Sequence, residues 1–133
     1  MLAHLKAVAD SLGLPFGERH MTFNSRQAQE LGKWAETQNQ GEAFHRGAFH
    51  AYFALGRNIA DPEVLLELAD SVGLERAAAR DVLDTRAFSS EVDTDWQRSY
   101  QMGITAVPTF HMDGRLLVGA QSYQALANLV QGG

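Results

Sequence analysis

Two short β-prone runs near the carboxy-terminal end constrain the fold of this chain more than any other feature. Thr109–Met112 and Arg115–Val118 flank Asp113-Gly114, a dipeptide that strongly favours a hairpin turn. A two-stranded hairpin alone is at best marginally stable in water, and its outer edges carry unpaired backbone groups. We therefore expect further strands to complete this sheet, supplied by an upstream segment of a longer parent or by a second copy of the chain.

The rest of the chain has the periodicity of amphipathic helices, in which apolar residues recur every three or four positions. The spacing predicts six helices before the hairpin, over about residues 2–12, 25–39, 42–56, 62–72, 75–85 and 89–102. Asp61 before Pro62 is the clearest helix start, because aspartate is a good N-cap and proline suits the first helical position. Asn24 or Ser25 is expected to cap the second helix, and Ser122 a final helix after the hairpin.

The composition is that of a globular domain and excludes several kinds of partner. The 133 residues suit one compact domain, and the net charge of -5 argues against nucleic acid or an anionic membrane surface. No apolar run approaches the roughly 18 residues that a membrane-spanning helix needs. The amphipathic start lacks the basic head and apolar centre of a signal peptide, so a cytoplasmic location is expected.

The sequence contains no cysteine. Disulfides, zinc–thiolate sites, thiol nucleophiles and redox relays within this chain are therefore excluded. The histidines also suggest no metal site, because His45 and His50 are five residues apart and do not share a helix face as an i, i+4 pair would. We expect no cofactor, no metal and no catalytic residue in the chain itself.

The most informative motif is the stretch from Gly103 to Phe110, Gly-Ile-Thr-Ala-Val-Pro-Thr-Phe. A glycine ends a helix, a short loop follows, and a Val-Pro bond leads into a strand, where proline is tolerated at the first position. This motif, before a hairpin and a last helix, resembles the cis-proline loop of thioredoxin-like proteins. The nearest family is the DsbA-like group, which includes the FrnE-type oxidoreductases and the 2-hydroxychromene-2-carboxylate isomerases.

Other segments extend the resemblance over nearly the whole chain. Residues 14–17 (Leu-Pro-Phe-Gly) and 24–28 (Asn-Ser-Arg-Gln-Ala) resemble the entry to the helical insertion of that family. Residues 44–53 and 58–65 resemble its middle. The resemblance implies an α/β thioredoxin-like fold of the DsbA type, with the helical insertion and its preceding helix over 1–102 and the thioredoxin-like hairpin and helix over 103–133, in one compact domain.

The resemblance also implies which residues would form a site. In the family, the backbone of the residue before the cis-proline pairs with an extended peptide or thiol substrate. The matching residues here are Val107, Pro108 and Thr109. The family's active-site motif, Cys-x-x-Cys or a serine variant, opens an earlier helix that is not visible in this chain. We therefore expect a truncated domain that keeps recognition residues and lacks redox activity by itself.

Three functions stay open. The chain resembles a DsbA- or FrnE-type thiol–disulfide oxidoreductase. Alternatively, it is a binding or assembly module that forms a homodimer through the hairpin edge or an exposed aromatic face, or part of a glutathione-dependent isomerase like the chromene-carboxylate enzymes. Six aromatic residues are expected mainly in the core, with some exposed as an interface if the sheet layer is absent: Trp34, Phe44, Phe49, Tyr52, Phe53 and Trp96.

Overall fold

The computed structural model describes residues 1–132. Within them it contains seven α-helices, a short π-helical segment and one two-stranded antiparallel sheet. The elements are α1 (Leu2–Ser11), α2 (Arg26–Thr37), α3 (Gly41–Phe49), the π segment (His50–Ala54), α4 (Pro62–Ser71), α5 (Arg76–Thr85), α6 (Ser89–Gln101), β1 (Thr109–Met112), β2 (Arg115–Val118) and α7 (Tyr123–Gln131). This order of six helices, a hairpin and a last helix confirms the predicted architecture. No helix within residues 1–132 is long and apolar enough to cross a bilayer.

The chain forms two compact units, and each is described separately. The helical unit comprises Met1–Asp93, and the hairpin unit begins at Thr94, so the division falls within α6. The predicted division into 1–102 and 103–133 concerns the family's helical insertion and thioredoxin-like part, and it stays a prediction. Its last residue, Gly133, lies outside the described residues.

The helical unit has a core of its own, formed where α2, α3, α4 and α5 pack together. Leu31, Phe44, Leu65 and Leu66 are fully buried there. Burying a side chain of this size stabilises a fold by about 1.5–3 kcal/mol relative to leaving it exposed. Several such side chains on α2, α3 and α4 therefore hold this unit together.

Helix starts follow the polar residues that the sequence marks. The Asp61 carboxylate accepts a hydrogen bond from the Glu63 N–H at 2.9 Å, with Pro62 in the first turn of α4. The Ser122 hydroxyl accepts one from the Ala125 N–H at the start of α7. Ser25 occupies the N-cap position of α2 without a side-chain cap bond. The neighbouring Asn24 side chain instead accepts from the Arg26 N–H, so both predicted candidates take part in this turn.

The third helix differs from the predicted continuous α-helix over 42–56. α3 ends at Phe49, and the chain continues as the π segment His50–Ala54. The Leu55 N–H donates to the His50 carbonyl five residues earlier, at 3.1 Å. Because a π turn is wider than an α turn, the side chains that follow shift from the positions that a 3.6-residue period gives them.

The predicted aromatic core is correct in part. Trp34 and Phe44 are buried. Phe49, Phe53 and Trp96 are 63%, 43% and 53% exposed, which agrees with the alternative expectation that some of the six lie at the surface. Phe49 is the last residue of α3, and Phe53 lies within the π segment. On α6, Val92 is buried and Trp96 is not.

The hairpin unit combines a regular hairpin with little burial. β1 pairs with β2 in an antiparallel register that sets Phe110 opposite Leu117, and Asp113 and Gly114 both adopt positive φ angles at the turn. These angles are what a tight two-residue hairpin requires. None of the described residues from 94 to 132 is buried. The local turn chemistry thus forms the hairpin, but the unit has no core of its own.

Candidate functional site

The loop that carries the predicted site connects α6 to β1 and leaves the helix at a defined position. Gly103 adopts a φ of 76°, and the Ile104 N–H donates to the Ser99 carbonyl at 3.0 Å. Glycine suits this position because it has no side chain to oppose a left-handed backbone. The helix end therefore fixes where the loop begins.

The far end of the loop is held by the hairpin. The Pro108 carbonyl accepts from the Gly119 N–H at 2.8 Å, just beyond β2. The Thr109 hydroxyl donates to the Ala106 carbonyl at 2.6 Å, which closes a turn across the Val107–Pro108 bond. These two bonds give the loop a defined shape although its side chains are largely exposed.

The peptide bond between Val107 and Pro108 is cis, and Val107 is 91% exposed. Within residues 1–132, neither the N–H nor the C=O of Val107 takes part in a hydrogen bond. An exposed backbone donor and acceptor at the start of a strand can pair with an extended peptide. Val107, Pro108 and Thr109 lie together in this loop, and their role in binding stays a prediction.

The loop offers hydrogen-bonding groups and carries no titratable side chain. Residues 103–110 include no titratable side chain, and the chain has no cysteine. Among the described residues, no group of histidine, aspartate and glutamate side chains is arranged to hold a metal ion. The loop therefore offers backbone hydrogen bonds, an apolar side chain and a threonine hydroxyl.

A buried carboxylate in the helical unit was not predicted from the sequence. Glu30 on α2 is 1% exposed and accepts from Arg86 Nε at 2.8 Å and from Arg26 Nε at 3.0 Å. The hydrogen bond from Arg86 and, after it, that from Arg26 lower the pKa of Glu30 against the opposing effect of burial. Glu30 is therefore ionised, and each of its carboxylate oxygens accepts a hydrogen bond from an arginine. This arrangement indicates a structural role.

The same network extends to the start of α6. Arg26 Nη2 donates to the Ser89 carbonyl at 2.8 Å and to the Asp93 carboxylate at 2.7 Å. The Arg26–Glu30 pair could be read from its i, i+4 spacing. Arg86, however, is 56 positions from Glu30, and no local pattern predicts that contact.

Comparison with known proteins identifies the relatives of this chain. Residues 1–131 match the DSBA-like thioredoxin domain family. The protein YwbO of Bacillus subtilis is 33% identical over 88 residues, which cover 65% of this chain and 44% of YwbO. The structure is also similar to that of a probable DsbA oxidoreductase, SCO1869 from Streptomyces coelicolor, with a TM-score of 0.82 and 30% identity over 98% of this chain and 58% of that one.

A third similar protein, one of known structure, is a disulfide reductase. The cytosolic disulfide reductase DsbM from Pseudomonas aeruginosa superposes with a TM-score of 0.62 at 25% identity, covering 97% of this chain and 68% of DsbM. The chain thus spans about half the length of YwbO and somewhat more of the oxidoreductase structures. The family match over residues 1–131 shows that the chain belongs to the DSBA-like thioredoxin domain family.

Proposed function

We propose that this chain provides the substrate-recognition element of a DsbA-type thiol–disulfide oxidoreductase. The Val107–Pro108 loop would pair through the backbone of Val107 with an extended peptide, while the redox step would need a thiol that this chain does not contain. The single observation that supports this most is the exposed Val107 peptide unit, which lacks a hydrogen-bond partner among residues 1–132.

Glutathione is the small peptide ligand that we favour for the loop. The Pseudomonas aeruginosa disulfide reductase DsbM, 26% identical to this chain, has a structure described as containing GSH. Glutathione presents peptide N–H and C=O groups that could meet those of Val107. The same relative is named as cytosolic, which supports our proposal of a cytoplasmic location.

Binding can be tested by NMR with the isotope-labelled chain. We expect glutathione and a cysteine-free extended peptide to shift the amide signals of Ala106, Val107 and Thr109 in a saturable manner. Because the chain has no cysteine, such binding is non-covalent. Val107→Pro removes the backbone N–H donor and should abolish the shifts, whereas Val107→Ala keeps the donor and should retain them. Shifts elsewhere only, or equal binding by both variants, would contradict the proposal.

The absence of redox activity in this chain alone is tested separately. In an insulin-reduction assay with dithiothreitol, we expect the purified chain to give the background rate. A DsbA-type enzyme with intact cysteines serves as the positive control. Turnover above background would refute the proposal that the chain contributes recognition without thiol chemistry.

A second candidate function is assembly into a homodimer. The hairpin consists of two strands in the described structure, and Phe110, Leu116 and Val118 are partly exposed on it. A second copy could add strands to this edge, or the exposed aromatic residues Phe49 and Phe53 could form the contact. Light scattering should then show dimers. Phe110→Lys should dissociate a dimer formed through the hairpin edge, and Phe49→Lys one formed through the exposed aromatic residues. A stable monomer at high concentration would exclude both.

A further inference from the structure

We propose that a cavity within the helical unit binds a small, uncharged aromatic molecule that carries a hydroxyl group. This cavity, termed the aromatic pocket, has a volume of about 370 Å³, and its walls include Phe23, Gln29, His45, Phe49, Tyr52 and Phe53. The volume is at the lower end of the range for small-molecule sites, which suits a ligand of one or two rings. The inference is independent of the Val107 loop and of the function proposed for it.

Two aromatic side chains in the walls of the pocket adopt the edge-to-face geometry that is favourable for aromatic pairs. Phe23 and Tyr52 lie edge to face, with centroids 6.4 Å apart and planes at 78°. Phe49 and Phe53 lie 6.4 Å apart, and both are substantially exposed for phenylalanine. Phe53 belongs to the π segment, and π turns inside helices are frequent at functional sites. A flat ring in the pocket would cover these exposed aromatic surfaces and make the same edge-to-face contacts.

Tyr52 is held in place by Arg19. The guanidinium carbon of Arg19 lies 3.9 Å from the centroid of the Tyr52 ring and 5.4 Å from that of Phe53. Its Nε and Nη1 atoms are buried and have no hydrogen-bond partner within residues 1–132, and the ring faces attract this cation electrostatically. A wall fixed in this way need not be ordered when a ligand enters, which favours binding.

The polar part of the aromatic pocket selects the ligand's charge and its hydrogen-bonding group. Among the described residues that line it, none is a lysine, arginine, aspartate or glutamate. His45 Nε2 lies 3.3 Å from a carboxylate oxygen of Glu36, which can only accept when ionised. A ligand hydroxyl can both donate and accept a hydrogen bond and can therefore pair with the imidazole of His45. A carboxylate would lose its hydration near the Glu36 carboxylate, in a pocket whose described lining includes no lysine or arginine.

Three probes that differ in one group test this selection. We expect fluorescence titration of the chain with 2-naphthol to show saturable binding. 2-Methoxynaphthalene, which lacks the donor, should bind about five- to tenfold more weakly. 2-Naphthoate should bind at least about tenfold more weakly, because its charge is desolvated without a partner. No saturable binding of 2-naphthol, or naphthoate binding as tight as that of naphthol, would overturn the proposal.

Variants locate the binding. Phe49→Ala removes an exposed side chain from the pocket wall and should weaken 2-naphthol binding. The control is Leu14→Ala, because Leu14 is 56% exposed and lies outside the pocket, and this variant should bind 2-naphthol as the wild-type chain does. His45→Phe should remove the difference between 2-naphthol and 2-methoxynaphthalene while both still bind. Circular dichroism checks that each variant is folded. Equal weakening by Leu14→Ala, or an unchanged difference between the two probes in His45→Phe, would contradict the assignment.

Discussion

The two units of this chain carry similar apolar side chains but bury them to very different extents. In the helical unit, Leu31, Phe44 and Leu65 are fully enclosed by neighbouring helices. In the hairpin unit, Phe110 and Val118 are 36% and 51% exposed, and no described residue from 94 to 132 is buried. The difference lies in the number of elements that can cover an apolar face. Four helices enclose one another, whereas the hairpin, α7 and the second half of α6 do not.

The comparison separates residues that set local geometry from residues that stabilise the fold by burial. Turn and cap residues such as Asp113-Gly114 and Ser122 act locally and form the hairpin and α7 without a core. Stability, in contrast, comes from burial, which is concentrated in the helical unit. The Val107 loop therefore belongs to the unit with regular local geometry and little burial.

The largest contrast is expected from matched truncations of a phenylalanine in each unit. Phe44→Ala empties a fully buried site and should lower the free energy of unfolding by about 3–5 kcal/mol. Phe110→Ala removes a partly exposed side chain and should lower it by less than about 1 kcal/mol. Urea unfolding followed by circular dichroism measures both. Similar losses would show that the hairpin unit is buried to the same extent as the helical one.

The charge network of the helical unit should give the next largest effect. Glu30→Gln leaves Arg26 and Arg86 without their shared carboxylate and should destabilise the chain by about 2 kcal/mol. The matched control is Glu42→Gln, because Glu42 pairs with Arg46 at the surface and both side chains are about four-fifths exposed. That control should change the stability by less than about 0.5 kcal/mol. Equal losses of stability in the two variants would contradict the claim that the buried Glu30 network stabilises the fold more than a surface ion pair does.

The same network makes stability depend on pH. The pKa of Glu30 in the folded chain lies below its usual value near 4.5, mainly because Arg86 donates to it. As the pH falls below about 4.5, the unfolded chain takes up the proton first, so protons favour unfolding and stability is lost. Denaturation midpoints between pH 7 and about 3 should fall more steeply for the wild-type chain than for Glu30→Gln. Parallel curves would contradict this.

The smallest expected contrast compares two helix caps. Asp61→Ala removes the cap of α4 and should cost about 1 kcal/mol of global stability. Ser122→Ala removes a similar hydrogen bond at the start of α7, in the unit without a core. It should lower the free energy of global unfolding by only a few tenths of a kcal/mol. Thermal melting of the two variants decides, and equal shifts would argue that the two units unfold together.

The local features of this fold could be predicted from the sequence. The register of Thr109–Met112 with Arg115–Val118 follows from Asp113-Gly114, and the start of α4 follows from Asp61 and Pro62. The position of the candidate site within the loop also follows from a contiguous motif around Val107. These features share one property, which is that the interacting residues are close in sequence.

The remaining features depend on contacts between distant residues. Glu30 and Arg86 meet across 56 positions, and Arg19 stacks on Tyr52 from another segment of the chain. The π segment arises where the hydrogen bonds shift by one residue, which a periodic pattern does not encode. The aromatic pocket is lined by residues between 22 and 59 that come from several elements, so local hydrophobic spacing could not predict it.

Native-state amide hydrogen exchange tests the difference between the units most directly. The account predicts strong protection for amides in α2, α3 and α4, with opening free energies close to that of global unfolding. Amides of β1, β2 and α7 should exchange through much smaller openings. Protection of the hairpin amides equal to that of α2–α4 would contradict the claim that burial in this chain is confined to the helical unit.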